Sequence, residues 1–205
     1  MKTIGITGGI GSGKSMVCKV FSTLGYRIYD ADVQAKQLIH DSLKLRTQII
    51  AVFGEEAYLS GVYNRPFIAS KVFQHPELLQ ALNEIVHPAT RQNFLEWIAE
   101  TPESYPRKAV IKEAAILFES GAYKDVDFVI SVYAPKSTRI QRVIQRDNIP
   151  VEAVLKRMNN QWTERKKIQK ADAIIYNDGH HALIPQVLEL HAKIENRNGT
   201  FFSHH

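Results

Sequence analysis

The segment GITGGIGSGKS, residues 5–15, constrains the fold of this chain more than any other part of the sequence. Its Gly8, Gly13, Lys14 and Ser15 fit the phosphate-binding pattern G-x-x-x-x-G-K-[ST]. A short apolar run precedes the segment, and a run with apolar residues at helical spacing follows it. A strand, a glycine-rich loop and a helix in this order predict a loop that binds the phosphates of a nucleotide. The alternative is a glycine-rich turn beside a surface lysine.

The predicted loop offers three kinds of phosphate-binding group. Glycines let backbone N–H groups approach phosphate oxygens closely, and the start of the next helix adds N–H donors and a favourable dipole. Lys14 is expected to reach the β- and γ-phosphates of ATP, and Ser15 to bind Mg²⁺ through its hydroxyl. The loop residues predicted to bind the nucleotide are Gly9, Gly11, Ser12, Gly13, Lys14, Ser15 and Met16.

Five short apolar runs predict buried parallel strands, and helical patterns lie between most of them. The predicted strands are residues 3–7, 27–29, 109–112, 128–133 and 173–176. This alternation predicts an α/β fold in which helices cover both faces of a doubly wound, five-stranded parallel sheet. A chain of 205 residues, 44% of them hydrophobic, fits one domain with an inserted subdomain.

The long gap between the second and third predicted strands shows helical patterns and no convincing strand. The predicted helices cover residues 32–40 and 45–53, and three more begin at Pro66, Pro76 and Pro88. We therefore predict an all-helical, acceptor-binding insertion at residues 33–106, placed to cover a substrate beside the loop. Residues 1–32 and 107–196 would then form the nucleotide-binding core.

The formal net charge is +5 and the sequence pI is about 9.2, which suits either nucleic acid or small polyanions. The sequence has no long block of lysine and arginine and no repeat of basic and aromatic residues. Its densest basic cluster consists of Arg165, Lys166, Lys167 and Lys170. We therefore favour a site for small anions and expect no nucleic-acid partner.

Several features that the sequence lacks limit where in the cell the protein is expected. No apolar run approaches the roughly 20 residues of a membrane helix, and we expect no signal peptide because the N-terminus leads directly into a predicted strand. Cys18 is the single cysteine, which excludes an intramolecular disulfide and a cysteine-built metal site. We expect a cytoplasmic protein with no membrane partner, while the oligomeric state has no signal in the sequence. Residues 196–205 are expected to be poorly ordered, and we assign no metal-binding role to His204 and His205.

Two carboxylates, Asp30 and Asp32, follow the second predicted strand. Ligand sites of open α/β sheets lie at the carboxyl ends of strands, and residues i and i+2 share a side of an extended strand. We therefore expect both side chains near the loop, where a carboxylate can take the proton of an acceptor hydroxyl during phosphoryl transfer. Asp32 is the predicted base, with Asp30 a helper or a cap. The alternative is that one of the two only caps the next helix.

Arg139, Arg142 and Arg146 stand at i, i+3 and i+7 of a predicted helix. Arginine makes fixed, multi-donor contacts with phosphate and keeps its charge. The stripe predicts a lid, within residues 136–170, that neutralises charge as a phosphoryl group moves. The alternative is a solvated helix face.

Two further polar positions have two interpretations each. Asn177, after the last predicted strand, is either close to the adenine of the nucleotide or only part of an Asn-Asp-Gly turn. Glu113, after the third strand, either helps to hold hydrated Mg²⁺ or is a surface carboxylate.

Six motifs occur in a fixed order along the chain. They are GGIGSGKS (8–15), DAD (30–32), LNEIVHP (82–88), ILFE (116–119), RVIQRD (142–147) and ADAIIYNDG (171–179). With these motifs the chain resembles the dephospho-coenzyme A kinase family over nearly its whole length. The phosphate loop alone is shared by many nucleotide-binding families, whereas the ordered set is specific.

The resemblance implies transfer of the ATP γ-phosphate to the ribose 3′-hydroxyl of dephospho-coenzyme A, the last step of coenzyme A synthesis. The catalytic residues that it implies are Asp32 as the base, Lys14 as the phosphate clamp and Arg142 as the lid arginine. The Mg²⁺ ligand would be Ser15, and further nucleotide contacts would come from Arg142 and Asn177. The implied acceptor contacts are Thr7, Asp32, His87 and Phe118.

This sequence departs from the family pattern at two positions. Met16 stands where Thr or Ser is usual, so a side-chain bond to the α-phosphate is lost there while the backbone N–H remains. Ala115 replaces a usual proline, which we expect to loosen the local turn without affecting the chemistry. Two other functions are weighed against the kinase: phosphorylation of another nucleoside or nucleotide, and a non-catalytic nucleotide-binding module. A GTPase is disfavoured because the guanine-binding motif N-K-x-D does not occur.

Overall fold

The computed structural model describes residues 1–196 and divides the chain into two compact units. The first, called here the sheet unit, comprises Met1–Asp30 and the described residues from Pro102 onward. The second, called the helical unit, is Ala31–Thr101. The C-terminal residues 197–205, including His204 and His205, lie outside the described part of the chain.

Strands and helices alternate along most of the chain. The strands are β1 (Lys2–Thr7), β2 (Ile28–Asp30), β3 (Tyr58–Leu59), β4 (Val62–Tyr63), β5 (Ala109–Glu113), β6 (Phe128–Tyr133) and β7 (Ala173–Tyr176). The helices are α1 (Lys14–Thr23), α2 (Ala31–Asp41), α3 (Leu43–Phe53), α4 (Arg65–Gln74), α5 (Pro76–Ala99), α6 (Lys136–Asp147), α7 (Val151–Asn159), α8 (Glu164–Lys170) and α9 (Leu183–Glu195). Short 3₁₀ turns occur at Glu55–Ala57 and Ala122–Asp125.

A five-stranded parallel sheet forms the centre of the sheet unit, in the order β2-β5-β1-β6-β7. The predicted fold class is confirmed, and no predicted strand boundary differs from the observed one by more than one residue. The reason is that strands covered on both faces are almost continuously apolar and therefore visible as short runs. Every residue from Ala109 to Glu113 is buried.

The core of the sheet unit lies where α1 and α9 cover the sheet. Ile6, Ile111 and Ile130 of the sheet are fully buried, and Phe21 of α1 packs into the same cluster. Burying a side chain of this size stabilises the fold by roughly 1.5–3 kcal/mol. This packing fixes the start of α1 against the end of β1, and so holds the connecting loop in place.

The helical unit has its own small core, formed by Ile49, Phe53, Ala57, Tyr58 and Ile68. The Ser42 side chain caps α3 by accepting the Leu45 N–H at 3.3 Å, and α3 ends at Gly54 as predicted. Pro66 lies in the first turn of α4, where its missing N–H has no intrahelical acceptor to lose.

The prediction of a separate helix beginning at Pro88 is wrong, because α5 continues through this proline. Pro88 cannot donate to the carbonyl four residues earlier, which costs about 3 kcal/mol in a helix interior. One face of α5 is nevertheless buried at Val86, Thr90 and Phe94, and α5 packs against α2, α3 and α4 within the helical unit. Burial of this face therefore outweighs the missing hydrogen bond.

The prediction that the insertion contains only helices is also wrong, because β3 and β4 form a two-stranded antiparallel hairpin. Ser60 and Gly61 connect the strands with φ values of 49° and 85°. Positive φ at both central residues is the geometry of a tight hairpin turn, and glycine adopts it without strain. The Tyr58 and Tyr63 rings meet edge to face across the hairpin, with centroids 5.5 Å apart.

Within residues 1–196, no helix combines the length and the apolar character needed to cross a membrane.

Candidate active site

The chain passes from β1 into α1 through a glycine-rich loop at residues 8–13. Gly13 has a φ of 93°, in the left-handed region that favours glycine, and α1 begins at the next residue. The Ser12 N–H donates to the Gly9 carbonyl at 3.0 Å, and the Met16 N–H donates to the Gly13 carbonyl at 3.0 Å. The result is a tight backbone loop against a helix N-terminus, an arrangement that favours anions.

Lys14 and Ser15 are held at the mouth of this loop. The Lys14 Nζ donates to the Gly8 carbonyl at 3.2 Å, so the ammonium group folds back across the loop. The Ser15 hydroxyl donates to Glu113 Oε1 at 2.8 Å. Glu113 ends β5 and stands in register with Asp30 at the end of β2. Two carboxylates and one hydroxyl therefore come together at the carboxyl ends of neighbouring strands.

The Cys18 thiol lies one turn along α1 from Ser15 and is 3% exposed. Burial raises the pKa of Cys18 far above its usual range, and the neighbouring Glu113 carboxylate raises it further. The thiol is therefore protonated at neutral pH. Cys18 is a packing residue beneath the loop and not a reactive one.

Arg142 of α6 connects the predicted lid to the phosphate loop. Its NH1 lies 3.5 Å from the carbonyl oxygens of both Gly11 and Ser12. Its NH2 donates to the Asn177 carbonyl at 3.1 Å. Asn177 in turn donates through Nδ2 to the Ser12 carbonyl at 2.8 Å. Arg142 and Asn177, both predicted to contact the nucleotide, thus join the lid helix and the end of β7 to the loop.

The predicted arginine stripe is divided between two environments. Arg139 is 7% exposed and lies against the loop, as Arg142 does. Arg146 instead is exposed and donates from Nε to Asp147 Oδ1 at 2.7 Å. Asp147 also accepts from Arg157 of α7 at 2.7 Å. Two of the three arginines therefore face the loop, whereas the third pairs with Asp147, the residue that links α6 to Arg157 of α7.

A partly buried polar network behind the loop was not predicted from the sequence. Gln161 accepts the Ile10 N–H at 2.8 Å, and its amide lies 3.4 Å from the Ala115 carbonyl. Lys167, with no exposed surface, donates to the same carbonyl at 2.9 Å and pairs with Glu119 at 2.8 Å. The Ala115 carbonyl would also be present on a proline, so this departure from the family pattern leaves the network intact.

Phe118 lies beside this network and stacks on Trp162. The two rings are almost parallel, with an interplanar angle of 4° and centroids 5.8 Å apart. The Lys166 ammonium lies 3.4 Å from the centroid of the Trp162 ring. Trp162 was not predicted as a site residue, because no motif in the sequence analysis includes it.

The basic cluster at residues 165–170 does not form a single anion-binding surface. Lys167 is buried against Glu119, Lys166 lies over Trp162, and the Lys170 ammonium is 5.6 Å from the Tyr123 ring centroid. Each lysine therefore has its own partner within the sheet unit.

Thr7 ends β1 directly before the loop. Its hydroxyl is buried and has no hydrogen-bond partner among the described residues, and the same is true of Ser131, its register partner on β6. Buried hydroxyls are normally hydrogen-bonded. The Thr7 hydroxyl is therefore available to a ligand or a water molecule at the end of the sheet.

Asp32 and His87 belong to the helical unit. The expectation that Asp30 and Asp32 share one side of a strand is wrong, because β2 ends at Asp30 and α2 begins at Ala31. Asp32 lies in the first turn of α2, where a carboxylate interacts favourably with the helix dipole. His87 lies on α5 and is half-buried, and this burial lowers its pKa, which favours the neutral imidazole.

Comparison with known proteins gives consistent matches along most of the chain. The family model described as dephospho-CoA kinase matches residues 2–182. A dephospho-CoA kinase from Bacteroides fragilis is 35% identical over 187 residues, which cover 91% of this chain and 90% of that protein. The crystal structure of TT1252 from Thermus thermophilus has a TM-score of 0.83 and 30% identity, covering 95% and 98% of the two chains. The dephospho-CoA kinase from Campylobacter jejuni has a TM-score of 0.68 and 29% identity, with the same coverage.

Proposed function

The chain belongs to the dephospho-CoA kinase family, and we propose that it transfers the γ-phosphoryl group of ATP to the ribose 3′-hydroxyl of dephospho-coenzyme A. The observation that carries the proposal is the loop between β1 and α1, where the Lys14 ammonium lies across the loop at Gly8 and the Ser15 hydroxyl donates to Glu113 at the end of β5. The family resemblance and the phosphate-loop kinase fold, both expected from the ordered motifs, are confirmed by the comparisons.

ATP would bind with its phosphates around the loop. The proposed contacts are the backbone of Gly9, Gly11, Ser12, Gly13, Lys14, Ser15 and Met16. The Ser12 and Met16 N–H groups already donate to carbonyls within the loop, so each would have to share or exchange its acceptor. Lys14 would transfer its hydrogen bond from the Gly8 carbonyl to a phosphate oxygen, and bonds to a charged acceptor are worth roughly 1.5–3 kcal/mol.

The residues at the strand ends fit Mg²⁺. Among the described residues no group of three or more His, Cys, Asp or Glu side chains could enclose a metal ion. Mg²⁺ does not need such a cage, because it commonly binds one or two carboxylates together with substrate phosphates and water. The Ser15 hydroxyl and the Glu113 carboxylate, 2.8 Å apart, supply the hard oxygen ligands that it prefers. Bound there, the ion would neutralise charge on the β- and γ-phosphates.

Asp32 is the proposed general base. A base for phosphoryl transfer must orient the acceptor hydroxyl and take its proton, which typically accelerates such reactions 10²–10⁴-fold. Asp32 lies in the first turn of α2, two residues beyond the strand end at Asp30. We propose that His87, Phe118 and the unpartnered Thr7 hydroxyl contribute to binding of the acceptor.

Arg142 would stabilise the charge of the transferring phosphoryl group. Its guanidinium lies 3.5 Å from the loop carbonyls of Gly11 and Ser12, so the lid helix holds a positive charge directly beside the loop. A guanidinium keeps its charge under all physiological conditions and makes directed contacts with phosphate oxygens. With Asn177 it would also form the side of the nucleotide site next to β7.

The proposal is tested by measuring ADP production with MgATP and a panel of acceptors. Dephospho-coenzyme A should support turnover, whereas adenosine, nucleoside monophosphates and shikimate should not. Chelation of Mg²⁺ with EDTA should abolish turnover, and adding excess Mg²⁺ should restore it. Preferred use of another acceptor would replace the proposed substrate, and ATP binding without turnover of any acceptor would favour a non-catalytic nucleotide-binding module.

A further inference from the structure

A buried ion pair lies against the first turn of the phosphate loop. Arg139 NH1 of α6 and Glu164 Oε1 of α8 are 3.4 Å apart, and their side chains are only 9% and 13% exposed. Both groups crowd Gly9 so closely that a methyl group on that residue would overlap each of them. The pair therefore occupies the space directly next to the loop backbone.

This pair is poorly satisfied for its degree of burial. Arg139 Nε and both carboxylate oxygens of Glu164 have no hydrogen-bond partner among residues 1–196. Arg139 NH1 is 3.5 Å from the Ile10 carbonyl, at the limit of a hydrogen bond. Burial raises the pKa of Glu164 more strongly than the surrounding positive groups and the Gly9 N–H lower it. Buried charges without complete hydrogen bonding are costly.

Glu164 lies against the loop among positively charged groups. Its carboxylate interacts favourably with Arg139, Lys167 and Lys14 as well as with the Gly9 N–H. Lys14 is also the residue predicted to hold the phosphates. A negative group in this position uses the same positive surroundings that attract a polyphosphate, and it would repel one.

Arg139 can change partner without movement of its helix. The backbone of Arg139 packs directly against Gly11, where an added methyl group would overlap the Arg139 carbonyl. The start of α6 is therefore fixed to the loop, so an exchange of partner would have to come from rotation of the Arg139 side chain. A phosphate group offers the paired oxygen acceptors that suit arginine, and these would satisfy the unpartnered Nε.

We propose that Glu164 acts as an internal substitute for the nucleotide polyphosphate, holding Arg139 beside Gly9 until a nucleoside polyphosphate displaces it. Arg139 then becomes a second phosphate-binding guanidinium beside Arg142, and Glu164 moves out of the anion site. This inference rests on the proposed function, because it requires that the loop binds ATP. Glu164 would thereby lower the nucleotide affinity, because it keeps a fraction of the protein molecules in an arrangement that does not bind the nucleotide.

Equilibrium titrations with ADP and with inorganic tripolyphosphate test the exchange. Glu164→Gln should bind both ligands at least about threefold more tightly than the unaltered protein, because the competing arrangement is weakened. Arg139→Gln should bind both at least about tenfold more weakly, because a charge-assisted contact is lost. Glu152→Gln is the matched control, since Glu152 is an exposed carboxylate in the first turn of α7, and it should change neither affinity.

The double variant Arg139→Gln/Glu164→Gln separates partner exchange from simple charge repulsion. If Glu164 acts by holding Arg139, the gain from Glu164→Gln disappears in the Arg139→Gln background. A gain of the same size in both backgrounds means that Glu164 only repels phosphate, and it overturns the proposal. Equal affinities of the Glu164→Gln and Glu152→Gln variants overturn it as well.

A measurement on the unaltered protein does not depend on how well the variants fold. The NMR signal of the Arg139 Nε–H, identified by its loss in Arg139→Gln, should shift when ADP is added. An unchanged signal at saturating ADP overturns the proposal. If the unaltered protein binds neither ADP nor tripolyphosphate, the proposed kinase function fails. If it binds both and phosphorylates dephospho-coenzyme A while the Arg139 signal stays fixed, only the exchange fails.

Discussion

The Asn177 side-chain amide donates to the Ser12 carbonyl over 2.8 Å and joins the end of β7 to the phosphate loop. The same amide lies where a side chain on Gly13 would have to go. Arg142 donates to the Asn177 carbonyl from the lid. One asparagine therefore fixes the loop against the sheet and connects it to α6, so changes on either side of this contact should affect nucleotide binding.

Gly13→Ala is expected to weaken ATP binding by at least about 100-fold. The residue must hold a φ of 93°, which costs an alanine roughly 1–2 kcal/mol, and its methyl group would also displace the Asn177 amide. Gly121→Ala is the matched control, because Gly121 has a φ of 76° but no atom within 4 Å of an added methyl group. Calorimetric titration with ATP measures the affinities. Similar losses of ATP affinity in both variants would show that the contact of Asn177 with the loop does not matter for ATP binding.

Arg142→Lys is expected to lower kcat/KM for ATP by about 10- to 100-fold. Lysine keeps the charge but cannot span the Ser12 and Asn177 carbonyls as the guanidinium does. Arg146→Lys is the control on the same helix, since Arg146 is exposed and pairs with Asp147. Steady-state kinetics with varied ATP should show the lower kcat/KM for Arg142→Lys and not for Arg146→Lys. Equal activities of the two variants would remove Arg142 from the site.

The sheet was predictable because each of its strands is a short apolar run, whereas the helical unit was predicted less well. A helix boundary at Pro88 follows from local rules, but burial around Val86 and Phe94 carries α5 through the proline. The hairpin had a usable signal in Ser60-Gly61 between two short apolar pairs. A two-residue strand is too short for periodicity to reveal it.

The loop could be placed from its motif, but the partners of the lid could not. The spacing of Arg139 and Arg142 predicts a shared face, and both do lie against the loop. The pairing of Arg139 with Glu164 joins residues 25 positions apart on different helices, so no local pattern contains it. The burial of Lys167 is equally a product of tertiary packing, since local sequence indicated only a basic cluster.

Asp32→Asn is expected to lower kcat by at least about 100-fold while leaving ATP affinity nearly unchanged. The amide is the same size as the carboxylate but cannot accept the proton of the acceptor hydroxyl. Asp41→Asn, at the other end of α2, is the control and should retain full turnover. Single-turnover measurements with saturating ATP and dephospho-coenzyme A report the chemical step. Near-normal turnover of Asp32→Asn would exclude Asp32 as the base.

Asp127→Asn is expected to reduce the free energy of unfolding by about 1 kcal/mol at pH 7. Asp127 accepts hydrogen bonds from the Thr3 N–H at 2.7 Å and the Thr3 hydroxyl at 2.9 Å, which connects the start of β6 to β1. Burial alone would raise the pKa of Asp127, but the Thr3 hydrogen bonds and the Lys2 ammonium lower it below its usual value of 3.8.

The lowered pKa of Asp127 determines how its contribution to the free energy of unfolding changes with pH. The ionised carboxylate stabilises the folded state at pH values above 3.8, and this contribution is lost as the pH falls through the lower pKa of the folded protein. The difference in free energy of unfolding between Asp127→Asn and the unaltered protein should therefore be constant from pH 7 to about 5. It should shrink at pH values below 3.8. Lys2→Gln removes the exposed ion pair with Asp127 and should lower the free energy of unfolding by less than about 0.5 kcal/mol. Urea unfolding at a series of pH values measures both effects, and a difference that persists unchanged at pH values well below 3.8 would contradict the assignment.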